Sequence, residues 1–527
     1  MKRNFIRSIS FIMCIIIACI SCSVGSFAAS GKVYTIDELE KYGIDSVITN
    51  ESETIAVLTT RYCSILAFTK NGKDYSIINF DKYLPAGSDY IQIYEVVNKG
   101  DLFVLFLGAY IDGEDYADYS EDTLTAQIIL TTTDFVSFKK YNFNAWNDSN
   151  IKSGLGSYSN SFFGFIGDTL ILADLSYKIT KKTATATYGV GVYYTTKDFK
   201  NWTVNYTPEH DLGEITQGIY SYSGMTFSYK AASGGNALII EYAYDEWTLE
   251  NSSWDCKKSY LTTDFKNYTA VYNKKSNKSV YESLYCVDDK LNYCYRLDFI
   301  DIVNGEYDSK EEWVKFDLKT GKETVLLKTD DIYHWRFTYN SDSNDAYYIV
   351  ENFDDTVQAY CLNINNGSLK TVPVDYKLSD CELYSESGNY LFSYENGKLC
   401  VSTLQNPLEC NEYDISYINI SVYDEYSSIY LFVLNGKVYI LETTDYPDYG
   451  YYTRVAETDI SLQKKGDLNG DNKINSTDAL LVLKASVGEI SLTKDQKSVA
   501  DVNKDGKINS ADALMILQFA TGLLQSL

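Results

Sequence analysis

Four times between residues 69 and 269 one short pattern recurs: Thr69-Lys70-Asn71-Gly72-Lys73-Asp74-Tyr75-Ser76, Thr132-Thr133-Asp134-Phe135-Val136-Ser137-Phe138, Thr196-Lys197-Asp198-Phe199-Lys200-Asn201-Trp202-Thr203 and Thr262-Thr263-Asp264-Phe265-Lys266-Asn267-Tyr268-Thr269. Their Asn or Asp positions lie 63, 64 and 66 residues apart. Each copy is a strand end, a polar turn led by Asp or Asn, and an aromatic that opens the next strand, which is a hairpin signal at a fixed period. Later segments keep the plan at shorter spacing: Phe316-Asp317-Leu318-Lys319-Thr320-Gly321, Leu362-Asn363-Ile364-Asn365-Asn366-Gly367 and Thr443-Thr444-Asp445-Tyr446. Repeated four-stranded units of about 45–65 residues are the pattern of a β-propeller, in which radial closure removes exposed sheet edges. The expected fold is mainly β, with a propeller over residues 31–455. Seven blades are expected, with six or eight as alternatives, and closure by pairing of strands from about residues 32–60 with those near 430–455.

The repeated turn resembles the Asp box of sialidase-like and other glycosidase propellers, and the Ser-x-Asp-x-x-x-Trp turn of five-bladed glycoside hydrolases. It departs from the usual pattern at Phe135, Phe199 and Phe265, where Gly commonly follows the Asp. The Asp of such a turn accepts hydrogen bonds from its own backbone, so the motif speaks for fold far more than for activity. Composition agrees. Tyr accounts for 49 of 527 residues and Pro for only 5, and Tyr with short Val, Ile and Thr runs is strand composition.

The N-terminus has the form of a secretory signal over residues 1–28: basic Lys2, Arg3 and Arg7, an apolar stretch over residues 10–20, and a small-x-small site at Ser26-Phe27-Ala28. The apolar stretch falls short of the roughly 20 residues of a membrane span, and no second stretch follows. A lipobox-like Ile16-Ile17-Ala18-Cys19 offers lipoprotein export as an alternative. Removing the leader takes the formal charge from −26 to −29, which repels nucleic acid and anionic lipid and leaves neutral sugars and cations as partners. Eight cysteines then remain, none in CxxC spacing, which excludes a common zinc pattern. Cys286 and Cys294 flank a hairpin and form the best candidate disulfide, against a reading of all eight as buried thiols.

A polar linker over residues 456–465 separates the strands from a different pattern. Asp467, Asn469, Asp471, Asn475 and Asp478 fall at positions 1, 3, 5, 9 and 12 of one loop, with the Lys473 carbonyl at position 7. Thirty-four residues on, Asp501, Asn503, Asp505, Lys507, Asn509 and Asp512 repeat it. Calcium takes six to eight hard oxygen ligands at about 2.3–2.6 Å, and this spacing wraps them around one ion. Each final Asp opens an apolar helical run. Asn472 stands where the sharp turn prefers Gly, and Asn tolerates the left-handed region. An ordinary EF-hand has a helix before each loop and Glu at position 12, whereas here Gly466 or Ala500 precedes the first Asp of each loop and position 12 is Asp.

This duplicated loop and helix over residues 466–524 resembles the dockerin family, type I-like. The resemblance implies two calcium ions and, as partner, a cohesin module of a scaffoldin. Matched residue by residue, it places the cohesin contacts at Ser476, Thr477, Leu483 and Lys484 in the first half and at Ser510, Ala511, Leu517 and Gln518 in the second. Thr477 against Ala511 and Lys484 against Gln518 break the equivalence of the halves.

Two readings of the propeller compete. As a glycoside hydrolase of polysaccharide breakdown it needs two carboxylates about 5–10 Å apart beside aromatic platforms. Asp245 and Glu246 beside Trp247, and Asp330 and Asp331 near Trp335, are the candidates, with a further acidic stretch from Asp112 to Asp122. In an acidic chain such clusters also arise as solvated loops. As a binding module the propeller needs no such pair, and a sialidase-type clamp of three arginines finds only Arg61, Arg296, Arg336 and Arg454 beyond the leader. His210 and His334 lie far apart and suit structural roles better than a metal pair.

Overall fold

A computed structural model of the chain describes residues 33–35 and 44–524, apart from 61–63, 112–122, 144–150, 153–161, 184–185, 214–215, 219–220, 248–251, 274–278, 302–309, 330–331, 341–342, 353–355, 373, 375–382, 388–389, 396, 404–405, 419–426, 447–449, 463–464, 470–472, 493, 504–505 and 522. The leader, Cys63 and Cys381 therefore lie outside the described residues. Among these residues the strands form eight antiparallel sheets, each built on a four-stranded meander. They are numbered blades I to VIII in chain order: 44–79, 90–143, 151–211, 216–273, 279–329, 332–372, 383–414, and 427–461 with 33–35. First strands of successive blades touch, as Ile44–Thr49 does with both Ser427–Leu434 and Tyr90–Lys99, so they form the inner ring.

The ring closes as the sequence led one to expect. Val33, Tyr34 and Thr35 pair with Ala456, Val455 and Arg454, so the N-terminal strand completes the blade made by the C-terminal end of the propeller. The last strand, Gly450–Ser461, runs into the segment read as linker because Ala456 and Ile460 are buried between blades VII and VIII.

Both faces of each sheet are covered by its neighbours, which is why central strands are continuous apolar runs rather than alternating ones. In Leu102–Ile111 of blade II, Phe103, Leu105 and Leu107 pack toward blade I, and the intervening Val104 and Phe106 pack toward blade III. In blade IV, Leu238 and Ile240 face blade III while Ile239 faces blade V.

The repeated turns join third to fourth strands at one end of the ring. Oδ1 of Asp134 accepts from the backbone N–H of Val136 and Ser137 at 2.9 Å each, and Asn71, Asp198 and Asp264 do the same two and three residues on. These bonds favour the charged form and hold the Asp198 and Asp264 carboxyls down at about 2. Phe135, Phe199 and Phe265 sit in the left-handed region, at φ of 57°, 62° and 59°. A bulky residue there is strained, and burial offsets it. Phe135 is 3% exposed and stacks on Phe68 of the preceding blade at 5.3 Å; Phe199 and Phe265 meet Tyr141 and Tyr193 of theirs at 5.6 and 6.4 Å. At two of the turn glycines the neighbour's tyrosine takes the space. A Cβ on Gly72 would lie 2.2 Å from the Tyr439 ring of blade VIII, and one on Gly367 would lie 2.8 Å from the Tyr295 hydroxyl of blade V.

The observed count is eight blades, where seven were expected. Six of the seven turn signals join third to fourth strands in blades I to VI. The seventh, at Asp445, falls near the end of the second strand of blade VIII, Lys437–Tyr446. Blade VII lacks the signal, and blade VIII takes its fourth strand from the N-terminal end and needs no such turn. The cysteine expectation is also corrected. Cys286 and Cys294 are free and buried, each in register with the other's neighbour rather than with each other. Among the described cysteines, Cys400 and Cys410 are the bonded pair, with Cα atoms 5.5 Å apart.

Substituting Gly72→Ala is expected to destabilise the propeller by about 1–3 kcal/mol, since the added methyl displaces the Tyr439 ring at a positive φ. Urea unfolding of Gly72→Ala, Tyr439→Ala and the double variant checks this. The penalty of Gly72→Ala should shrink once Tyr439 is truncated, and a penalty that is the same in both backgrounds contradicts the account.

Candidate functional site

After the last strand the chain changes to three short helices, α1 (Ser476–Ser486), α2 (Lys494–Ala500) and α3 (Ser510–Ala520), around a core containing Leu468, Val482, Val502 and Ile516. Two of the helices start identically. Asn475 accepts from the Thr477 N–H at 2.7 Å, and Asp478 accepts from the Asn475 N–H at 2.9 Å; Asn509 and Asp512 repeat the reciprocal cap on α3 at 2.8 and 2.9 Å. The duplication seen in sequence is thus a duplication of backbone geometry.

The capping carboxylates also organise the loops. Asp478 Oδ1 accepts from the N–H groups of Leu468 and Asn469 at 2.9 and 3.2 Å, and Asp512 Oδ1 from that of Asn503 at 3.2 Å. Asp467, Asp478 and Asp512 have no exposed surface, and among the described residues neither Asp478 nor Asp512 makes an ion pair. Buried carboxylates without a counter-charge are costly, and a divalent cation removes that cost. The donor set fits calcium. Asp467 with Asn469 and Asn475, and Asp501 with Asn503 and Asn509, supply hard oxygens, while exposed Lys473 and Lys507 are suited to offering carbonyls. Asp471 and Asp505 lie outside the described residues, and among those described no three acidic, His or Cys groups converge. Ile474 and Ile508 pack against the common core.

The residues assigned to partner contact lie on the surface. Ser476, Thr477, Ser510 and Ala511 are exposed, as are Leu483 and Leu517, with Lys484 and Gln518 half-buried beside them. Sequence reasoning missed Leu480 and Leu514, exposed at 50% and 55%, one turn before Leu483 and Leu517 on the same helix faces. Their spacing carried the signal. Lys484 is drawn toward Glu489 at 3.1 Å, and Gln518 makes no such pair, so the two halves differ there.

The propeller candidates fare differently. Asp245, Glu246 and Trp247 end the second strand of blade IV, Leu238–Trp247, not an innermost strand, and their side chains lie outside the described residues. Asp330 and Asp331 lie outside them altogether. Trp335 is on the innermost strand of blade VI, 41% exposed and 4.6 Å from Phe299 of blade V. Arg296 and Arg454 are buried in pairs within the fold, Nε to Asp298 at 2.5 Å and Nε to Glu442 at 2.6 Å. Arg336 is buried too, and Arg61 lies outside the described residues. Between blades IV and V the Arg296 pair adjoins Lys230–Glu241 at 3.0 Å, with the Tyr285 hydroxyl donating to Glu241 at 2.9 Å. Desolvation pushes the Asp298 carboxyl up, against the pull of Arg296.

His210, on the short outer strand His210–Asp211 of blade III, lies in the interface with blade IV. Its ring stacks on Tyr242 at 4.1 Å and its Nε2 is 2.7 Å from the Tyr260 hydroxyl, with Phe227 alongside. Burial, and secondarily Lys258, push its pKa down to about 4. It is a satisfied structural histidine; the His334 side chain lies outside the described residues.

A closed ring of eight β-sheets joined to a small duplicated loop-helix module defines a propeller protein with a C-terminal accessory domain. Residues 465–519 match the dockerin type I domain, and the module is a dockerin of that type. No curated protein matches the sequence. Solved structures similar in fold include the ulvan lyase of a polysaccharide lyase family, at 9% identity and TM-score 0.33 over 78% of this chain and 93% of that one. A luciferin-regenerating enzyme matches at 10% and 0.26 over 66% and 97%, and a post-proline cleaving enzyme from Rickettsia typhi at 11% and 0.36 over 77% and 57%. At such scores the likeness carries no functional argument.

His210 gives a test of the blade III–IV interface. Its pKa is 6.5 unperturbed and about 4 when folded, so between these values the unfolded chain binds a proton the folded chain does not, and stability falls as pH drops. The stability difference between wild type and His210→Gln should shrink from pH 6.5 to pH 4 and be constant above pH 7. Urea midpoints across that range check it, and a difference independent of pH contradicts it.

Proposed function

We propose that the chain is a secreted component of an extracellular, polysaccharide-degrading multienzyme assembly of cellulosome type, held on a scaffoldin cohesin by its C-terminal dockerin. The observation that carries this is the pairing of two loops built on buried carboxylates with two helices that each present exposed leucines, Leu480 and Leu483 on α1 and Leu514 and Leu517 on α3. Bound calcium supplies positive charge beside the buried Asp478 and Asp512, which make no ion pair among the described residues. Asp467, Asn469, Asp471, Asn475, Asp478 and the Lys473 carbonyl would hold one ion. Asp501, Asn503, Asp505, Asn509, Asp512 and the Lys507 carbonyl would hold the second. A module of about 60 residues has a marginal core, so binding energy at these loops becomes folding energy.

The propeller is the cargo. Hydrolysis of O-glycosyl bonds rests on Asp245, Glu246, Asp330 and Asp331. Binding of glycan without hydrolysis is the second reading; the burial of Arg296 and Arg454 in ion pairs within the fold speaks against a sialidase-type clamp. An immobilised cohesin should retain the full chain in calcium and release it in chelator, and Asp467→Ala with Asp501→Ala should abolish retention. Calorimetry on the full chain should give two calcium ions. Retention that survives chelator, or a stoichiometry near zero, contradicts the docking reading. Release of reducing sugar from any neutral polysaccharide would replace the binding reading with hydrolysis.

A further inference from the structure

At the end of the ring opposite the Asp turns, blades II and III face each other with an unusual pair of walls. On blade II, Tyr90 opens the first strand and is paired with Tyr110 near the end of the second, which is paired with Leu124 near the start of the third. Cross-strand partners share a face, and this row lies on the face that carries Val104, Phe106 and Ile129 against blade III lower down. The rings of Tyr90 and Tyr110 are stacked at 5.2 Å and 16°. Tyr94 stands edge-on to Tyr110 at 6.3 Å and lies over Gly108, where a Cβ would be 2.3 Å from its hydroxyl. The three tyrosines are half-buried, and Leu124 is 38% exposed. One rung below, Gln127 is paired with Gly108 on the same face. It is 6% exposed, and its Oε1 has no hydrogen-bond partner among the described residues. Leaving a buried amide oxygen unpaired is costly, which marks a position that a ligand or water donor would satisfy.

The opposite wall is the part of blade III that runs on past its core. There Lys178 is paired with Val190 and Lys181 with Tyr188, on the face that Val192 continues toward blade II. Lys178 lies 5.7 Å from the ring of Tyr206, itself 41% exposed, and Lys181 lies 5.7 Å from that of Tyr188. Flat aromatic faces alternating with amide and ammonium groups suit the apolar ring faces and hydroxyl edges of sugars. Charge decides which sugars. The chain carries −26 overall, so an anionic polymer is repelled. We propose that this groove binds an uncharged polysaccharide chain, with sugar rings on Tyr90 and Tyr110 and hydroxyls reaching Gln127, Lys178 and Lys181. The proposal rests on the glycan-binding reading of the propeller and is independent of docking to a cohesin.

Calorimetric titration of the full chain in calcium with cellohexaose, xylohexaose and mannohexaose, and with polygalacturonate as the charged probe, tests it. At least one neutral hexasaccharide should bind, with little dependence on salt. Replacing both tyrosines, Tyr90→Ala with Tyr110→Ala, should weaken it by about tenfold or more. Leu124→Glu, which alters an exposed side chain and leaves the core intact, should weaken it likewise, and Tyr83→Ala at the rim between blades I and II should not. Neutral binding undiminished in both variants overturns the groove while leaving glycan binding in place. Absence of binding to every probe, or binding to polygalacturonate alone that salt abolishes, overturns both.

Discussion

Three residue pairs hold this ring shut. Each blade sheet is apolar on both faces, so no blade is stable until a neighbour lies on either side, and the first and last can satisfy one another only if the chain ends meet. Pairing of Val33–Thr35 with Arg454–Ala456 supplies that meeting. It joins segments more than 400 residues apart, so it is among the most non-local contacts a chain of this length can make. The interfaces that it brings together are specified by rings. The turn position after the Asp or Asn carries Phe in three blades, where it fills the gap to the preceding blade itself, and Gly72 in blade I, where it makes room for the neighbour's tyrosine.

The C-terminal dockerin solves the opposite problem. Its core is small, its loops bury carboxylates, and its helices expose leucines, so on the docking reading proposed above its native state depends on what it binds. A propeller with its own closed core tolerates such a neighbour, because neither unit needs the other's hydrophobic surface. In the proposed division of labour the large domain keeps a fixed shape and the small one responds to cation and partner.

Much of this was legible in the sequence. The period of the Asp turns announced repeated hairpins, and the duplicated oxygen spacing at residues 467–478 and 501–512 announced paired loops, because both depend on local backbone chemistry. Blade number was less legible. Blade VII has no Asp turn, blade VIII borrows a strand, and Asp445 mimics the signal at the wrong end of a strand. Cysteine pairing also escaped. Cys286 and Cys294 flank a hairpin, but the register sets each opposite the other's neighbour, and register is fixed by the sheet rather than by spacing. Leu480 and Leu514 were readable from helical spacing, whereas the row of Tyr90, Tyr110 and Leu124 exists only through pairing of three strands.

The central claim is that one chain joins a self-sufficient ring to a dockerin whose order depends on calcium. Hydrogen exchange read by mass spectrometry on the full chain, with calcium and after chelation, measures both at once. The account predicts that amides of α1 and α3 lose protection on chelation while those of strands such as Leu102–Ile111 and Leu238–Trp247 do not change. Helices that keep their protection without calcium, or blades that lose theirs together with the helices, would contradict it.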